Sequence, residues 1–95
     1  MAAYVIFIRE KTRSQSELEI YSKKTPAALA GHAVTPLAVY GRHEVIEGSE
    51  VEGVAILRFP TFGEAKAWYD SPAYREARAH RFNGADYQAV IVEGL

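Results

Sequence analysis

Apolar side chains occupy nearly every position in three stretches of the chain: Tyr4-Val5-Ile6-Phe7-Ile8, Val54-Ala55-Ile56-Leu57-Arg58-Phe59 and Ala89-Val90-Ile91-Val92. β-Branched and aromatic residues dominate them, which fits strands apolar on both faces better than strands with one wet side. A fourth strand is expected over Thr35 to His43, with Leu37, Val39 and Gly41 on one face and Ala38, Tyr40 and Arg42 on the other. A polar turn at Glu47-Gly48-Ser49-Glu50 should join it to the Val54–Phe59 strand as an antiparallel hairpin. The last strand is expected over Tyr87 to Glu93.

Helical patterns fill the gaps. Ser16 and Glu19 have capping-box spacing, and Leu18 and Tyr21 share a face three residues apart. Pro26 should end that helix, while Thr25-Pro26 opens a second, short one that stops at Gly31. Thr61 and Glu64 repeat the capping spacing ahead of Ala65, Trp68 and Tyr69, an apolar set at i, i+3, i+4. Ser71-Pro72 repeats the cap-plus-proline pattern and starts a helix reaching about Arg81, with Asn83-Gly84 as its exit.

The order β-α-β-β-α-β predicts a ferredoxin-like split βαβ fold: an α+β architecture with a four-stranded antiparallel sheet and helices on one face. At 95 residues the chain has room for one such domain, spanning 1–95, and no second core. Since the strands are apolar on both sides, the face without helices would expose more apolar surface than monomers usually carry. Two copies packed sheet to sheet about a two-fold axis would cover it, so a homodimer is expected.

The residues Ala3 to Ile8, Leu29-Ala30-Gly31-His32, Gly41-Arg42 with Glu44 to Gly48, Phe59-Pro60-Thr61-Phe62 and Ala67 to Tyr74 resemble domain-of-unknown-function family 1330, a bacterial family of the dimeric α+β-barrel superfamily. The run Trp68-Tyr69-Asp70-Ser71-Pro72-x-Tyr74 is the most specific part. Thr61 stands where that family often has serine, and Gly41 stands alone where paired glycines are common. The resemblance implies a sheet-on-sheet dimer with a pocket between sheet and helices in each subunit. It implies no reaction, since relatives in the superfamily include both enzymes and ligand sensors.

Charge and composition narrow the function classes. A formal net charge of −1 sets up no field for nucleic acid or a membrane surface, and neither partner is expected. Arg75, Arg78 and Arg81 recur every three residues, which reads as a solvated helix face. No cysteine is present, so disulfides and thiolate zinc sites drop out, in keeping with a cytoplasmic protein. The apolar run near the start is too short to span a membrane and reads as a strand rather than a leader. His32, His43 and His80 lack the spacing of a helical metal site; no metal or other cofactor is expected.

The remaining candidates suit a small-molecule pocket. His32, in a loop after Gly31, is the candidate acid–base group; the plainer alternative is a loop histidine bonded to backbone. Tyr21, Tyr40, Trp68 and Tyr69 offer apolar walls with polar tips, although Trp68 and Tyr69 also suit an ordinary core. Arg42 is a candidate clamp for an anionic ligand group, and a salt bridge with Glu44, Glu47 or Asp86 is the simpler use for it. Two functions fit these residues: a cofactor-independent enzyme acting on a small apolar or aromatic carbonyl compound, and a non-catalytic homodimer that binds a small ligand or serves as a stress accessory. A structural interaction module without a pocket is the third.

Overall fold

A computed structural model describes all 95 residues. Its elements run β1 Ala3–Thr12, α1 Gln15–Leu29, β2 Thr35–Val39, β3 Gly53–Phe59, α2 Phe62–Tyr69, α3 Pro72–Gly84 and β4 Ala85–Glu93. The strands form one antiparallel sheet in the order β2-β3-β1-β4. This is the expected split βαβ topology, with β1 and β3 central.

Register assigns the two faces. Val5 lies opposite Leu57 and Ile91, and Phe7 opposite Ala55 and Ala89. These side chains share the helix-covered face, where Ala3, Val5, Phe7, Ala55, Leu57 and Phe59 join Trp68, Tyr74 and Ala77 in the core. Ile6 lies opposite Ile56 and Val90, and Tyr4 opposite Val92. That second face has no helix, and Val90 and Val92 are 47% and 46% exposed on it.

Three local expectations are corrected. The cap of α1 is Ser14, whose Oγ accepts from the Glu17 N–H. Ser14/Glu17 and Ser16/Glu19 offer the same spacing two residues apart, and tertiary contact selects the first: the Gly84 carbonyl accepts from the N–H groups of Arg13 and Ser14 at 2.7 and 2.9 Å. Second, Thr25-Pro26 does not start a new helix, because α1 continues through Pro26 to Leu29. The Thr25 hydroxyl donates to the Tyr21 carbonyl at 2.8 Å, and burial of Leu18, Tyr21 and Ala28 holds the helix on both sides of the proline. Ser71-Pro72 does begin a helix, with Ser71 Oγ accepting from the Tyr74 N–H.

Third, β2 ends at Val39, not His43. A register shift between Pro36 and Ala38 breaks the simple alternation, as bulges do. Ala38 then pairs with Ile56 on the open face, while Val39 pairs with Ala55 on the helix face. Tyr40 follows at φ 53°, a conformation unusual for a bulky residue and a mark of local strain held in place by its surroundings. Arg42 is therefore not a strand residue; it sits exposed in the β2–β3 connection with His43 and Glu44.

Candidate functional site

The cavity lies between the sheet and α1. Phe7, Ala55 and Leu57 form its floor, and Pro36, Val39 and Tyr40 close the β2 side. Tyr21, Ser22, Thr25, Pro26 and Leu29 of α1 form the opposite wall, with Trp68 of α2 at one end. Its volume is about 300 Å³, at the small end of the range for ligand pockets. Pro26 has no N–H for the Ser22 carbonyl, so the helix that walls the cavity lacks one backbone bond at that point. The positive φ of Tyr40 brings a tyrosine to the wall from a β2 alternation that would otherwise carry it to the open face.

The tyrosines are arranged in hydroxyl pairs. Tyr21 and Tyr74 share a buried hydrogen bond of 2.8 Å, and Tyr40 and Tyr87 share one of 2.7 Å. Burial, the largest cause in each case, raises the pKa of Tyr21, Tyr40 and Tyr74. The paired hydroxyl raises Tyr21 and Tyr40 further. These phenols therefore stay protonated at neutral pH and act as hydrogen-bonding groups, not as bases.

Two guanidiniums back these pairs. Arg9 lies over the Tyr40 ring at 4.8 Å and 3.5 Å from a Glu52 carboxylate oxygen. Arg81 lies over Tyr87 at 4.8 Å, Phe82 at 5.0 Å and Phe7 at 5.1 Å. It is 2% exposed, and its Nε has no hydrogen-bond acceptor. Trp68, fully buried and stacked on Tyr74 with centroids 4.0 Å apart, also has an Nε1 without an acceptor.

The structure brings together Tyr21, Tyr40 and Trp68 of the expected site residues. Trp68 satisfies both readings at once, as core and as cavity wall. Tyr69 instead lines a smaller recess beside Lys66 and β4, with Arg78 over its ring at 4.3 Å. His32 lines a separate small recess with Glu64, Phe59 and Ala67. Arg42 faces solvent, and none of Glu44, Glu47 or Asp86 pairs with it; Asp86 pairs with Arg13 instead. Among the other histidines, His43 bonds the Val51 carbonyl through Nε2 at 3.0 Å, and His80 Nδ1 meets Glu17 at 2.6 Å between α3 and α1.

The residue that the pattern concealed is Arg81. Arg75, Arg78 and Arg81 are not one solvated face: six residues turn a helix by about 120° away from its starting direction. Arg81 instead shares a face with the buried Tyr74, Ala77 and Gly84, to which it stands at i+7, i+4 and i−3. That spacing was the available signal.

A ferredoxin-like α+β subunit with an apolar cavity between helix and sheet is thus the class that fold and site define. The chain belongs to the family described as domain of unknown function DUF1330, whose model matches residues 2–95. No curated protein matches it. Among solved structures, it resembles a protein of unknown function from Rhodopseudomonas palustris at TM-score 0.77 and 14% identity, covering 99% of this chain and 82% of that one. Two others are dimeric ferredoxin-like proteins of unknown function. The one from Jannaschia has TM-score 0.70 and 13% identity, with 99% and 100% of the two chains covered. The one from Thermobifida fusca has TM-score 0.66 and 16% identity, with 97% and 90% covered.

Proposed function

We propose that this protein is a homodimer, joined through the open faces of its sheets, whose subunits each bind a small, largely apolar molecule, aromatic or aliphatic, through a carbonyl-type oxygen. The observation that carries the reading is the cavity of about 300 Å³ between helix and sheet, walled by apolar side chains together with Trp68, Tyr21 and Tyr40. A ligand oxygen would accept from a tyrosine hydroxyl on the wall, and the apolar walls would take the ligand body. The open sheet face and the dimeric state of the Jannaschia and Thermobifida proteins support the assembly.

Binding is favoured over turnover because the titratable groups on the cavity wall are tyrosines held protonated by burial. His32, the residue expected to exchange protons, lines another recess. The enzyme reading would need a proton acceptor brought to this cavity.

The chain has a single tryptophan, so its emission reports directly on the cavity. Titration with acetophenone should change Trp68 emission saturably, and Ala55→Leu, which fills the floor, should abolish the response. His32→Ala should leave the affinity unchanged. Native mass spectrometry of protein from cells should show dimers carrying an added small mass. An unsaturable response that Ala55→Leu does not alter would remove the reading.

A further inference from the structure

We infer that the ligand of this cavity is an anion, a carboxylate on an apolar body, attracted by the buried Arg81 through the Tyr74–Tyr21 hydroxyl pair. The inference rests on the binding reading above and adds the ligand's charge to it.

Arg81 is a permanent cation at 2% exposure. Buried charges are ordinarily paired, since removing an ion from water costs several kcal/mol even after relaxation. None of the chain's ion pairs includes Arg81. The rings of Phe7, Phe82 and Tyr87 lie within 5.1 Å of its guanidinium carbon and offset part of that cost. Ring faces do not, however, replace acceptors for the in-plane N–H groups, and Nε is left without one. The subunit thus buries a positive charge and lacks the matching negative one.

Geometry leads from this charge to the cavity. The Tyr74 hydroxyl lies beside Arg81, whose charge opposes the effect of burial on that phenol. Tyr74 bonds Tyr21 at 2.8 Å, and Tyr21 lines the cavity. Either hydroxyl of the pair can donate to the other. An anion in the cavity selects one order: Tyr74 donates to Tyr21, and Tyr21 donates to the ligand. The Tyr74 oxygen is then free to accept from Arg81, and each hydroxyl dipole in the series points its positive end toward the ligand. Charge-assisted bonds of this kind are about twice as strong as neutral ones. Arg9, over the Tyr40 ring, is already matched by the Glu52 carboxylate at 3.5 Å, which leaves Arg81 as the charge without a counter-ion. No carboxylate lines the cavity to oppose an anion.

The test compares phenylacetate with phenylacetamide, which match in shape and differ in charge, by titration of the whole protein at pH 7 with Trp68 emission as readout. Phenylacetate should bind at least about tenfold more tightly. Arg81→Met, which keeps an unbranched apolar stem and removes the charge, should bring the two affinities together. Tyr21→Phe should weaken phenylacetate and leave phenylacetamide nearly unchanged, a difference that a purely structural loss would not produce. Should Arg81→Met fail to fold, the wild-type comparison and Tyr21→Phe decide. Equal affinities in the wild type, or tighter binding of the amide, overturn the anion inference and leave the binding cavity standing. No response to either probe overturns both.

Discussion

Tyr21, Tyr40 and Tyr74 are uncharged because ionising them inside the fold would leave a phenolate with little water around it. Each has its pKa raised above 10, with burial as the leading cause. In the unfolded chain a phenol loses its proton near pH 10. Above that pH the folded state holds protons that the unfolded state has released, so stability declines as pH rises. The contribution of these groups is complete below about pH 10 and is lost progressively above it, at roughly 1.4 kcal/mol per pH unit for each group that titrates only on unfolding. Thermal unfolding followed by circular dichroism should therefore give a Tm that is steady between about pH 7 and 9 and falls from about pH 10. Tyr21→Phe removes one such group and should make the alkaline fall shallower, while costing about 0.5–1.5 kcal/mol at pH 7 through the lost bond to Tyr74. An alkaline slope identical to the wild type would mean that Tyr21 ionises within the folded protein.

Helices α1 and α3 are joined at a point where no side chain fits. A Cβ at Gly84 would lie 2.8 Å from Leu18 Cδ2, 2.9 Å from its Cγ and 3.2 Å from its backbone nitrogen. Gly84→Ala must push the start of α1 away and stretch the two bonds that the Gly84 carbonyl accepts; overpacking of this kind costs about 1–3 kcal/mol. Urea denaturation should show that loss with an unchanged m value. Pro26→Ala acts in the opposite direction. It restores a donor for the Ser22 carbonyl and removes a residue disfavoured in helix interiors, so stability should rise by about 1–2 kcal/mol; a loss would show that Pro26 packing outweighs the missing bond. These two positions also show what was legible at the level of elements. Ser71-Pro72 and Thr61 mark real helix starts because their caps act within four residues of sequence. Thr25-Pro26 carries the same local signal, yet packing of Leu18, Tyr21 and Ala28 overrides it. Likewise, the Pro36/Ala38 register shift depends on how β2 meets β3, which no spacing within β2 discloses. Tyr21, Tyr40 and Trp68 were readable as cavity-wall residues from their amphipathic chemistry. Arg81 was not, because a charged residue on an otherwise polar helix segment is normally solvated, and only its phase relative to Tyr74 and Ala77 sets it apart.

For the whole molecule, the decisive asymmetry is between the two faces of the sheet. One face carries α1, α2 and α3; the other presents Tyr4, Ile6, Ile8, Val54, Ile56, Val90 and Val92, with Arg58 and Gln88 among the exposed residues. Four strands at about 4.8 Å spacing and seven residues at about 3.3 Å give this face roughly 400 Å² in plan, already near the largest apolar patch that monomers commonly tolerate. Along β1 up to Ile8 its side chains alternate with those of the core, so the pattern that buries Val5 and Phe7 under the helices turns Tyr4, Ile6 and Ile8 outward. Such a face is self-complementary under a two-fold axis, and each copy offers the other the same apolar rows. Ile6 lies at the centre, opposite both Ile56 and Val90, and a two-fold axis through that point would place the two copies of residue 6 near one another. Ile6→Lys would then set two ammonium groups against each other inside an apolar interface, at a cost of several kcal/mol. Sedimentation velocity at micromolar concentration should show the wild type as a dimer and Ile6→Lys as a monomer. Since Ile6 faces away from the cavity, the variant should still respond to acetophenone through Trp68. A wild type that sediments as a monomer would leave the open face without its proposed occupant. A monomeric variant that has also lost the Trp68 response would show that the cavity takes its shape only within the dimer.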